Sequence, residues 1–135
     1  MIKLSEEGEA VLRRGMQALE MDLEHWNQSY YVNPGASCGT TACLAGQIVA
    51  NELGMTLDVL ANWERYHYLS GKALELLGLS GDDGEEGDDA GSFRELIFYY
   101  THTEDDRSEE NLLARTPENL KLFKERIAQV TGIEL

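Results

Sequence analysis

Leu12, Met16, Leu19, Leu23 and Trp26 recur at steps of four, three, four and three, the spacing of one apolar face of a helix. Ser5 stands ahead of them as an N-cap, followed by Glu6, Glu7 and Glu9, acids favoured at the positive end of a helix dipole. This pattern predicts a helix from about Ser5 to Trp26, ended before Asn33-Pro34-Gly35, a strong turn signal. A second segment, Ala42, Cys43, Leu44, Ala45, Ile48, Val49 and Ala50, is apolar around most of a helical circumference. Such a helix is buried on several sides, so about 41–53, stopped by Gly54, is expected at the centre of the fold.

Further along, Leu57, Leu60 and Trp63 suit a helix, whereas Tyr66-His67-Tyr68-Leu69 reads equally as an extended run. Ser70 has the form of an N-cap for a short helix through Ala73, Leu74 and Leu77, stopped by Gly78. Residues 81–91 hold no apolar side chain larger than alanine and predict a flexible, solvated acidic loop. Ser92-Phe93-Arg94-Glu95 resembles a capping box before Leu96 to Tyr100. Thr116-Pro117 opens a last helix with proline at its first position, striped by Leu120, Phe123, Ile127 and Val130 and ended by Gly132. The expectation is an all-α fold, a single domain over 1–135, with five to six helices of unequal length around the small-residue helix.

Composition agrees with that expectation. The 135 residues are 42% hydrophobic and 27% charged, as in a folded domain with one modest core. No apolar run approaches the roughly 20 residues of a membrane span. The acidic start after Met1 does not read as a secretory signal, and two cysteines five positions apart do not make a disulfide framework. Together these predict a cytoplasmic protein with reduced thiols.

Charge changes the picture more. The chain carries −14, and residues 82–110 hold twelve acids against only Arg94 and Arg107, so −10 sits in this one segment. Direct nucleic-acid binding needs a basic stripe to meet phosphates, and the sequence has none. An acidic surface instead gains long-range attraction to a basic protein. Asp82, Asp83, Glu85, Glu86, Asp88 and Asp89 are the expected binding residues, with Tyr99 and Tyr100 as aromatic anchors.

Cys38-Gly39-Thr40-Thr41-Ala42-Cys43-Leu44-Ala45-Gly46 is the other feature that stands out. A glycine, two hydroxyls and small side chains between thiols suit a tight corner leading into a helix, with Thr40 or Thr41 as cap. A cysteine at a helix start can also be activated as a nucleophile. Cys-Gly-Thr-x-x-Cys-x-Ala-Gly, followed by Leu76-Leu77-Gly78-Leu79 and the aromatic stretch from Phe93 to Tyr100, resembles a family of small uncharacterised proteins of bacteria and tailed phages over roughly residues 26–100. Gln47 stands where that family often has tryptophan or histidine. The resemblance implies a phage or mobile-element setting and brings no activity with it. More weakly, Cys38-Gly39 with Ala42-Cys43-Leu44-Ala45 is similar to the nucleophile motif of cysteine peptidases that process bacteriocin-like peptides, although Ser37 replaces their aspartate. That likeness implies a papain-like hydrolase with Cys38 as nucleophile and a histidine partner, His67 before His102.

Metal and cofactor sites are not expected. Cys38 and Cys43 have no second pair to complete a zinc set. A calcium loop counted from Asp82 would place Phe93 where a bidentate glutamate belongs. The function expected from the sequence is therefore binding to a protein of basic surface, as in an inhibitor, from a phage or mobile element, of a host defence protein. The Cys38 hydrolase is the alternative.

Overall fold

The computed structural model describes residues 1–26, 42–79, 88–98 and 117–135. Those residues are all-α, with six α-helices and no strand beyond one isolated bridge. Helix α1 spans Glu6–Met21, and the Ser5 hydroxyl accepts the Gly8 N–H at 3.1 Å, the cap expected of it. The helix stops earlier than the stripe suggests. Asp22 leaves the helical region, and Leu23–His25 form a 3₁₀ turn. In such a turn residues three apart eclipse, so Leu23 and Trp26 stay on the core side although the α-helix has ended. Trp26 then runs extended, is buried, and bridges to Ala42, whose N–H donates to the His25 carbonyl at 2.9 Å.

Helix α2 spans Leu44–Leu53, and everything from Ala42 to Ala50 is buried. Its cap position is taken by Cys43 rather than by Thr40 or Thr41, which lie outside the described residues. Gly54 ends it with φ 67°, its N–H on the Ala50 carbonyl. Helices α1, α3 and α4 all pack against α2, which makes it the centre of the described core. Gly15 lets α1 lie close to α2, since a side chain there would run into Ile48.

Helix α3, Leu57–Glu64, is capped by the Thr56 hydroxyl, which accepts from Val59 N–H at 3.2 Å. The extended alternative for residues 66–69 does not form. The amides of Arg65, Tyr66 and His67 turn back to the carbonyls of Asn62, Trp63 and Glu64, so the chain unwinds through a turn directly into α4, Leu69–Leu76. Ser70 is not the N-cap: it lies inside α4 and is buried, and Tyr68 holds the cap position without a side-chain bond. Gly78 closes α4 with φ 75°.

The acidic loop ends sooner than its composition implies. Asp88–Phe93 form α5, which continues as a wider π-type turn over Arg94–Phe98. Two buried side chains three apart, Ala90 and Phe93, hold this helix to the core. Asp88 and Asp89 sit in its first turn, where the dipole favours them. Ser92 is consequently in mid-helix and caps nothing. The wide turn brings the consecutive residues Ile97 and Phe98 inward, with Phe93 and Phe98 edge to face at 5.2 Å.

Helix α6, Pro117–Thr131, buries Leu120, Phe123, Ile127 and Val130 as its stripe predicts. Phe123 meets Trp26 at 5.6 Å between ring centres, and the Ile2 N–H donates to the Val130 carbonyl at 2.7 Å. No described helix is long and apolar enough to cross a membrane.

Candidate functional site

Of the residues expected to act, Cys38, Asp82, Asp83, Glu85, Glu86, Tyr99, Tyr100 and His102 lie outside the described residues. Asp88 and Asp89 are described, and both are exposed at the start of α5. Arg94 carries the acidic segment to a neighbour: its guanidinium lies over the Tyr68 ring, 5.6 Å from the centroid. The turn that follows α5 thus lies beside the start of α4.

His67 is not on a strand. It is exposed in the turn after α3, where Nδ1 donates to the Trp63 carbonyl at 2.9 Å. Its ring stacks on the Trp63 indole, 4.3 Å between centroids and 2° from parallel. This bond and stack hold the ring in the turn.

The second cysteine of the motif is fully enclosed. Burial pushes the Cys43 thiol up to about 11. The backbone amides of Gly46 and Ala45 at the helix start oppose that shift, and the charge of Glu64 adds to it. Burial also raises the Glu64 carboxyl. A nucleophile must reach its thiolate, and at neutral pH Cys43 is a protonated, inaccessible thiol. It packs as a small apolar side chain.

Two groupings were missed by sequence reasoning. At the end of α1, ligand atoms of Asp22, Glu24 and His25 lie within 4.8 Å of one another, and His25 Nδ1 is 2.7 Å from Asp22 Oδ1. These contacts depend on the 3₁₀ turn, which the sequence does not announce. The other is a run of exposed large side chains along α3 and the turn into α4. Val59, Trp63 and Tyr66 are spaced four and three apart, and Tyr66 is 77% and Tyr68 65% exposed. The tyrosines stood in a segment whose aromatic residues suit a strand as well as a helix end, so their exposure was hidden.

An open groove of about 400 Å³ between α1 and α2 is lined by Arg14, Gln17, Ala18, Met21 and Asn51. Arg14 in its wall is engaged with Glu52 through two hydrogen bonds of 2.9 and 2.7 Å.

No protein-family model, curated protein or solved structure matches the chain.

Proposed function

We propose that the protein acts by binding another protein of basic surface, through the half of the chain that carries its acidic segment. One observation supports this reading above others: ten of the fourteen net negative charges fall within residues 82–110. A field concentrated in this way steers an oppositely charged partner and suppresses like-charged ones. The segment is attached to the core through Ala90, Phe93, Ile97 and Phe98, which leaves Asp88 and Asp89 facing water. Its narrower form is an inhibitor that sets carboxylates where a basic enzyme would hold phosphates, in keeping with the phage-like motif.

The test is association measured against salt and charge. Combined neutralisation of Asp82, Asp83, Glu85 and Glu86 should slow association with the partner more than it speeds dissociation. Raising salt from about 0.05 to 0.5 M should do the same, because screening shortens to a few ångström. Binding that ignores both changes would remove the acidic segment from the interface.

A further inference from the structure

We propose that the start of α4, with the Ser70 hydroxyl and the Arg94 guanidinium, binds a phosphate-type oxyanion. This site does not depend on the protein partner proposed above, and either reading can fail alone.

The first support is a buried hydroxyl that bonds nothing. Ser70 is 1% exposed, and among the described residues its Oγ has no hydrogen-bond partner. Burying a polar group in this way is costly, and a bound ion or water is a common reason for keeping one. Ser70 is the second residue of α4. Side chains of a helix lean toward its N-terminus, so this hydroxyl belongs to the same end as the helix's leading amides. The first bond of α4 runs from the Lys72 N–H to the Tyr68 carbonyl at 3.0 Å. The amides of Leu69, Ser70 and Gly71 therefore stand ahead of the helical ladder, and Tyr68, at the cap position, supplies no side-chain acceptor.

Charge separates an ion from a bound water. The N-terminal end of a helix carries a partial positive charge that favours anions. Arg94 adds a full one: its guanidinium lies over the ring of Tyr68, the cap residue of this helix, 5.6 Å from the centroid. Amide, hydroxyl and guanidinium all donate, so the ligand is an acceptor, and a tetrahedral oxyanion offers more oxygens to them than a carboxylate does. Entry is past the Tyr68 ring, which is 65% exposed and rests on Gly71. The chain's net charge of −14 repels anions at a distance. Salt screens that repulsion beyond about 8 Å at physiological ionic strength, which leaves recognition to these short-range donors and limits the ligand to a small one.

The experiment titrates the full chain with inorganic phosphate at constant ionic strength, held by chloride, and follows backbone amide shifts and melting temperature. The amides of Leu69, Ser70 and Gly71 should shift saturably, and phosphate should raise the melting temperature. A short phosphoserine peptide titrated in parallel shows, by the tighter of the two, whether the group is taken free or on a chain. Ser70→Ala and Arg94→Gln should each lower phosphate affinity about tenfold, the scale of one hydrogen bond to a charged group. In phosphate-free buffer Ser70→Ala should melt at or above the wild type, because an unsatisfied buried hydroxyl has been removed. Circular dichroism should be unchanged in both variants. Shifts that are absent, or spread over the surface without saturating, would overturn the inference. So would phosphate affinity that survives either substitution, or a Ser70→Ala protein that melts well below the wild type without phosphate, since its hydroxyl would then hold a partner within the protein.

Discussion

Gly15 and Ile48 fit together as a gap and its filler: the Ile48 side chain occupies the place on α1 where any larger residue would put its β-carbon. Gly15 lies mid-helix, where alanine would ordinarily gain about 1 kcal/mol in helix propensity. Here the added methyl meets a buried side chain on the central helix. Gly15→Ala should therefore destabilise the fold by about 1–3 kcal/mol, the usual range for overpacking. Ile48→Ala alone should cost about 2–5 kcal/mol. The double variant should cost less than the two together, because the new methyl enters the space that isoleucine vacates. Urea denaturation of the four proteins checks this, and simple additivity would show that the two sites do not share that space.

The pair Arg14 and Glu52 gives stability a pH dependence of known sign. The guanidinium beside Glu52 holds its carboxyl below the ordinary value of 4.5. The folded protein thus binds this proton less readily than the unfolded chain. The stabilisation is complete above pH 4.5 and is lost as pH falls through the lower folded value. Glu52→Gln should melt below the wild type at pH 7, and the gap should close on acidification toward about pH 3. A gap of constant size across that range would show that the variant acts through packing instead.

Cys43 titrates in the opposite direction. Its thiol is held up to about 11, from an ordinary value of 9.0. Its contribution to stability is complete below pH 9 and declines as pH rises toward 11, where the unfolded chain ionises first. Melting temperatures should fall across this window in a Cys38→Ser background and fall less steeply once Cys43→Ala is added. In the wild type at neutral pH, iodoacetamide should leave Cys43 unmodified until denaturant is present. A thiol that reacts faster than free cysteine under native conditions would be Cys38, and would favour the hydrolase.

Gly71→Ala probes the close contact between Gly71 and the Tyr68 ring. The added methyl would strike the Tyr68 ring, which can swing outward because it is largely exposed. Stability should hold or rise slightly through helix propensity, while the contact between Tyr68 and Arg94 is lost. Aromatic proton shifts of Tyr68 would record the displacement. Unchanged shifts would mean that the ring tolerates a methyl beneath it.

Features set by neighbours in sequence were legible before the structure. Gly54, Gly78 and Gly132 all stop helices, and all adopt the left-handed conformation that glycine enters without a steric penalty. The apolar stripes of α1 and α6 likewise turned inward where their spacing indicated. What escaped was decided through space. A tight turn at Asp22 preserves the stripe while ending the helix, so periodicity alone cannot see it. Ser70 carries the signature of a cap, yet α4 begins at Leu69, two residues earlier than such a cap implies, because the chain arrives still coiled from α3. The start of α5 depends on burying Ala90 and Phe93, and its wide turn allows Ile97 and Phe98 to point inward together. The acidic segment was recognisable from charge, whereas the exposure of Tyr66 and Tyr68 followed only from the turn at residues 65–67.

The hydrogen bond from Ile2 to Val130, together with that from Arg13 to the Glu134 carbonyl, closes this bundle between positions more than a hundred residues apart. Helical proteins usually fold fast because their contacts are local, and α1 through α4 meet that condition. Their joint product is unfinished, however, because Phe123, the partner for Trp26, arrives on α6. On a ribosome, a chain translated only as far as α5 would display that indole to water and to passing chaperones. Docking of α6 is what brings Phe123 against Trp26 and the Val130 carbonyl to the Ile2 amide.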